Sequence, residues 1–299
     1  MIWQGVFPAI TTPFREDLSV DLDSLASLVD AMVRSGCRGL VPLGSLGESA
    51  ALDLGEKGAI LDACRRALAG RAPLVAGVAA LSTAQAVAVA RLAMEKGCDG
   101  LMVLPPWVYR PDRRETAAHF SAVVGATPLP CMLYNNPIAY GTDVSAEELA
   151  ELAARHPNLV AVKESSGDVR RITEIRALLG SRLAIFVGVD DLILEGIASG
   201  AVGWIAGLVN ALPTESVRLF ELASRGESRE ARALYEWFLP LLRLDVVPKF
   251  VQLIKLVQQE TGTGSERVRP PRLPLAGEER LAALALIRDC LARRPGTGS

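Results

Sequence analysis

In the segment Leu159-Val160-Ala161-Val162-Lys163-Glu164-Ser165-Ser166-Gly167-Asp168, four apolar residues run straight into a lysine. A short apolar run bounded by polar residues and Gly reads as a strand buried on both faces, as in a parallel sheet covered by helices. An ammonium at the end of such a strand is partly desolvated, which favours the neutral amine. A lysine brought from a pKa of ~10.4 towards ~7–8, roughly 4 kcal/mol in favour of the free base, is a usable nucleophile. The competing reading is that Lys163 caps the strand or pairs with Glu164. There are five lysines against 27 arginines, and Lys57, Lys96, Lys249 and Lys255 all fall in helical patterns. Lys163 alone ends a strand.

Two further strand ends carry reactive types, Gly44-Ser45-Leu46-Gly47-Glu48 and Tyr134-Asn135-Asn136-Pro137. A buried amine beside them is suited to condense with a ketone or imine. The iminium draws electrons from the neighbouring carbon and lets a proton or carbon substituent leave. Tyr134 would shuttle the protons, and the Ser45-Leu46 turn, flanked by Gly44 and Gly47, would offer backbone N–H groups to a carboxylate. The plainer alternatives are a core or rim tyrosine and a tight turn. His119 and His156 fall in or beside helical segments, and no His/Asp/Glu cluster sits at a strand end, so no metal is expected. No cofactor is expected either. Gly188 and Gly207 follow strands where many barrels bind phosphate, but nothing basic lies nearby.

These residues need a frame that brings strand ends together. Apolar runs alternate with helical patterns up to about residue 225, and strands read at Gly5–Ile10, Gly39–Leu43, Leu74–Val78, Gly100–Leu104, Pro130–Tyr134, Leu159–Lys163, Leu183–Val187 and Gly203–Ala206. From the second to the eighth the step averages about 27 residues, enough for a strand, a helix and two short loops. Ser35-Gly36-Cys37-Arg38-Gly39-Leu40, Lys96-Gly97-Cys98-Asp99-Gly100-Leu101 and Ser199-Gly200-Ala201-Val202-Gly203-Trp204 repeat one pattern. Its first Gly ends a helix and its second opens the next strand. Eight units predict an α/β protein with a closed (β/α)8 TIM barrel, in which active sites lie at the C-terminal strand ends. A doubly wound sheet is the alternative, disfavoured because no Gly-x-Gly-x-x-Gly follows the first strand. Three helical segments follow, Ser228–Leu244, Val247–Glu260 and Gly277–Arg293, which suggests a barrel over 1–225 and a C-terminal three-helix extension over 226–299.

Half of the residues are hydrophobic and the net charge is −2, with both signs interspersed. This composition suits a large core and small-molecule chemistry, with no footprint for nucleic acid or an anionic membrane. Cys37, Cys64, Cys98, Cys131 and Cys290 are odd in number and unpaired by motif, which points to reduced thiols and a cytoplasmic protein. Met1-Ile2-Trp3-Gln4-Gly5 lacks the pattern of a signal peptide. The uncharged run Gly196 to Pro213 is interrupted by four Gly and Asn210 and reads as turn, strand and loop rather than a membrane span.

Taken together, Gly44–Glu48, Tyr134–Pro137, Val162–Gly167 and Gly188 make the chain resemble the dihydrodipicolinate synthase and N-acetylneuraminate lyase family over essentially its whole length. The resemblance implies a TIM barrel with a C-terminal helical domain, assembled as a homotetramer (a dimer of dimers). It further implies that Lys163 forms a Schiff base with a 2-oxo acid and Tyr134 shuttles protons. The loop containing Leu46 and Gly47 would hold the carboxylate, with Ser45 bonded to the tyrosine. Ser165, Asp190 and Asp191 match positions that meet substrate hydroxyls in sugar-acid members; capping of a helix is the other reading of the two aspartates. The lysine-pathway synthases carry an arginine after the Tyr-Asn-x-Pro motif, where Ile138-Ala139-Tyr140-Gly141 stands here, and a neighbouring subunit's tyrosine where Val108 stands. Leu46 likewise replaces a hydroxyl residue. Tyr134–Pro137, Lys163–Arg171, Tyr235–Leu242 and Arg269–Arg272 are most similar to the 1-pyrroline-4-hydroxy-2-carboxylate deaminases within the family. Their substrate is a cyclic imine and their products are 2-oxoglutarate semialdehyde and ammonia. An aldolase or dehydratase of 2-keto-3-deoxy sugar acids, dihydrodipicolinate synthesis, and a ligand-binding barrel without turnover are the other readings.

Overall fold

The computed structural model describes residues 3–295. Seven parallel strands, β1 (Gly5–Pro8), β2 (Val75–Val78), β3 (Gly100–Val103), β4 (Cys131–Asn135), β5 (Leu159–Glu164), β6 (Ala184–Val187) and β7 (Gly203–Ala206), run in the order β1-β7-β6-β5-β4-β3-β2. The strand expected at Gly39–Leu43 forms only isolated bridges, Ala9 with Val41 and Leu40 with Leu74. It still closes the ring. Val41 N–H donates to Pro8 O at 2.9 Å on one side, and Gly77 N–H donates to Pro42 O at 2.8 Å on the other. Pro42 has no N–H to extend the ladder, and Leu43 turns away at φ 64°. The sheet is therefore a curled TIM-barrel ring with one irregular member.

Register decides which side chains face inward. Tyr134 pairs with Lys163, and Lys163 with Phe186, so the three point to the same side of the sheet. The interior around Phe186 is filled by aromatic rings, with Phe7 and Phe186 centroids 5.2 Å apart. Gly39 and Gly203 make room for them: a Cβ at these positions would lie 2.3 Å from the Phe7 ring and 2.2 Å from the Phe186 ring. Reciprocal caps at Asp53/Glu56, Asp112/Glu115 and Ser145/Glu148 fix the starts of the helices at 54–68, 113–124 and 146–155.

Helices Ser228–Leu242, Phe250–Thr261 and Gly277–Ala292 follow the barrel. They are not detached from it. Lys255 donates to Thr12 O at 2.8 Å, to Glu48 Oε1 at 2.6 Å and to Arg267 O at 2.7 Å, so a lysine of the second helix is buried among barrel loops. Among the described residues, no helix is long and apolar enough to cross a membrane.

Candidate active site

A cavity of about 490 Å³ opens at the C-terminal strand ends, and Ser45, Leu46, Tyr134, Lys163, Ser165 and Gly188 all line it. Lys163 is only 6% exposed. Its neighbour Glu164 points the opposite way, accepting from Asn135 Nδ2 at 3.1 Å and from the Ser166 N–H at 2.6 Å. Pairing of Lys163 with Glu164 is thereby excluded. The amine instead lies 4.2 Å from the centroid of the Tyr134 ring. Burial lowers the Lys163 pKa, against the opposing influence of Asp245, Tyr140 and Asp190. Burial likewise raises the Tyr134 phenol, whose hydroxyl accepts from Asn136 Nδ2 at 3.0 Å.

The hydroxyl of Ser45 bonds to Tyr140, whereas the family resemblance implies Tyr134 as its partner. Tyr140 is delivered by one helical turn, Pro137–Tyr140. Asn136 caps it by accepting from the Ala139 N–H, Pro137 opens it, and Gly141 at φ 69° ends it. The Tyr134 and Tyr140 rings meet edge to face with centroids 5.7 Å apart. Ser45, Tyr140, Tyr134 and Lys163 thus form one contiguous group. Tyr140 is not among the residues expected from the strand ends; the Asn136-Pro137 helix start is the local signal for its placement.

The loop at 44–48 is held from outside the cavity. Glu48, left-handed at φ 54°, accepts from Lys255 and from the Arg269 N–H at 2.9 Å, while Thr12 Oγ1 donates to Gly47 O at 2.7 Å. Among the described residues, nothing accepts from the N–H groups of Ser45 or Leu46. They are free for an anion. Gly47 itself does not line the cavity; it allows the close turn, since a Cβ there would lie 3.0 Å from Ile10 O.

Asp190 and Asp191 also lie outside the cavity lining. Asp190 is fully buried and accepts from Trp204 Nε1 at 3.0 Å, Gly207 N–H at 3.1 Å and Leu208 N–H at 2.9 Å. Its oxygens are committed to the backbone after β7 and not to a substrate hydroxyl. Asp191 faces Arg243 at 3.6 Å. Phosphate at Gly207 is equally unfavourable, because a Cβ there would meet the Asp245 carboxyl at 1.9 Å. Asp245 and Arg272 do line the cavity, and the sequence reading named neither as a site residue. His119 is spent on Thr83 and Leu104 O, and His156 on Ser121.

Residues 3–289 match the Dihydrodipicolinate synthetase family. The chain belongs to that family. It is 36% identical over 291 residues to the 4-hydroxy-tetrahydrodipicolinate synthase of Sorangium cellulosum, covering 97% of each chain. It is also 36% identical over 299 residues to the synthase of Xanthomonas axonopodis pv. citri, covering 98% of this chain and 96% of the relative. Among solved structures, the dihydrodipicolinate synthase of Aquifex aeolicus superposes with a TM-score of 0.91 at 28% identity, covering 96% of this chain and 98% of that one. Membership makes this dihydrodipicolinate synthetase family protein an enzyme of the class I lyase type.

Two expected results follow from the geometry of this family member. A Cβ at Gly188 would lie 2.0 Å from Ser165 Oγ and 2.4 Å from Lys163 Cε. Gly188→Ala should therefore displace the amine and lower kcat/KM by about 100-fold, the cost of a misplacement of about an ångström. Steady-state kinetics alongside a thermal melt check this; unchanged kcat/KM would contradict it. Tyr140→Phe should still form an adduct with pyruvate but exchange its C3 protons with D2O about 10²–10³-fold more slowly, the loss typical of a proton-transfer group. Exchange measured by NMR at the wild-type rate would show that Tyr140 takes no part in proton transfer.

Proposed function

We propose that Lys163 forms a Schiff base with a small hydroxylated 2-oxo acid or its cyclic imine. We propose further that the reaction is the conversion of 1-pyrroline-4-hydroxy-2-carboxylate to 2-oxoglutarate semialdehyde and ammonia. The observation that carries this reading is a buried amine with no hydrogen-bond acceptor, in a cavity that also presents hydroxyls, the free N–H groups of Ser45 and Leu46, and the side chains of Asp245 and Arg272.

Lys163 attacks C2 of the cyclic imine, and the C2–N ring bond breaks with Tyr134 protonating the departing nitrogen. The iminium left at C2 acidifies C3, whose proton returns to the Tyr134 phenolate. The C4 hydroxyl then leaves as water to give a C3–C4 double bond, C5 loses a proton as C3 regains one so that the nitrogen becomes an enamine on C4=C5, and hydrolysis releases ammonia, the aldehyde and Lys163. The Ser45 and Leu46 N–H groups hold the C1 carboxylate. Tyr140 occupies the segment where an arginine stands in the lysine-pathway synthases, which favours a substrate other than aspartate semialdehyde.

The names of the curated relatives favour a second reading, dihydrodipicolinate synthesis from pyruvate and aspartate semialdehyde. Incubation with each substrate set decides between them. Ammonia and semialdehyde from the pyrroline compound, with no condensation of aspartate semialdehyde, is the expected outcome; condensation without ammonia release would establish the second reading.

The same proposal takes 226–299 as a C-terminal helical domain, the location as cytoplasmic and the assembly as a homotetramer. Val108 at 61% and Ile138 at 76% exposure give the rim an apolar surface suited to a partner subunit.

A further inference from the structure

Asp245 enters the cavity from the turn at 243–245 that links the helices ending at Leu242 and starting at Phe250. Among the described residues it is the only carboxyl lining the cavity that also holds Lys163. Its Oδ1 is buried and has no hydrogen-bond partner. Buried polar atoms in folded proteins are almost always paired, so an orphan oxygen on a carboxyl that lines a cavity points to a ligand group. Neither Lys163, whose charge acts on it, nor the unpaired Ser165 hydroxyl forms a hydrogen bond to it. Asp190 is taken up by Trp204, Gly207 and Leu208, and Arg243 faces Asp191. Gly207 leaves the space that the carboxyl fills.

We infer that Asp245 receives the C4 hydroxyl of the 2-oxo acid bound to Lys163 and protonates it as the C4–O bond breaks. The inference rests on the Schiff-base reading above. When the electron pair at C3 forms the C3–C4 double bond, the C4–O pair leaves with oxygen; the Asp245 proton converts hydroxide to water and leaves Asp245 as a carboxylate. It regains a proton from the water that later adds to C5. Burial, with Asp190 close by and against the opposing influence of Lys163, holds the Asp245 pKa well above the ordinary carboxylate range, which favours the acid form. A carboxyl kept neutral in this way donates a hydrogen bond where a carboxylate could not.

Borohydride trapping with 2-oxopentanoate and 4-hydroxy-2-oxopentanoate tests this, with pyruvate as the reference acid. The wild type should trap the hydroxylated acid at about tenfold lower concentration than its deoxy counterpart, the discrimination expected of one buried hydrogen bond. Asp245→Asn, nearly isosteric, should still form the pyruvate adduct but eliminate water from the hydroxylated acid about 100-fold more slowly. Asp245→Leu should lose the tenfold preference. If the wild type traps both acids without preference and eliminates no water, or if Asp245→Asn eliminates at the wild-type rate, Asp245 has no such role while the Schiff base stands. If the wild type traps none of the three acids, the Schiff-base reading fails and this inference falls with it.

Discussion

Lys163→Ala is expected to abolish turnover, by on the order of 10⁴–10⁶ in kcat, the scale of losing a covalent nucleophile. The chain should fold regardless. Among the described residues Lys163 forms no ion pair, and its amine lies 4.2 Å from the centroid of the Tyr134 ring. Removing an amine that burial already destabilises in its charged form takes away a cost rather than a support. Lys163→Met preserves the stem that packs beside Gly188 and should be equally inactive. Kinetics measured with both variants, beside far-UV circular dichroism and thermal melts, check this. Residual kcat above about 1% of wild type in two folded variants would show that another group does the chemistry. None of the other lysines lines the cavity.

Glu48→Ala is expected to destabilise the fold by about 3–5 kcal/mol, the cost of leaving a buried charge without its partner. Lys255 and Glu48 are paired at 2.6 Å with side-chain exposures of 2% and 0%. Lys255 also lies 4.4 Å from the Phe14 ring centroid. The melting temperature should fall on the order of 10 °C. Activity should fall as well, because Glu48 fixes the loop that presents Ser45 to Tyr140. Replacing the pair together, Glu48→Leu with Lys255→Met, should recover most of the stability without restoring the loop. Chemical denaturation of the three variants separates these effects. A Glu48→Ala protein as stable as wild type would mean that the pair is not the clamp between the second C-terminal helix and the barrel.

What the sequence made legible follows from what periodicity encodes. Apolar runs at regular spacing marked seven of the strands, because a strand covered on both faces has no alternation to obscure it. The segment at 39–43 reads just as apolar, yet Pro42 and the left-handed Leu43 limit it to bridges, and such backbone departures are weakly written in residue type. Lys163 stood out because a charge at the end of a buried strand is rare. Tyr140 and Asp245 were not legible for a common reason. Each reaches the cavity from a turn whose direction is set by caps and by packing of distant segments, and nothing in a local pattern reports that the chain after Leu242 passes over the barrel mouth. Asp190 shows the reverse error: the family resemblance matches it to a position that meets substrate hydroxyls, yet its oxygens are taken up by backbone donors.

The most direct test is to incubate the wild-type protein with pyruvate, reduce with borohydride, digest it and locate the modified peptide by mass spectrometry. A single reduced adduct on Lys163 is the expected result, absent when borohydride is added without pyruvate. A protein that takes up no pyruvate, or carries it on Lys57, Lys96, Lys249 or Lys255 instead, would contradict the assignment of Lys163 as the reacting amine.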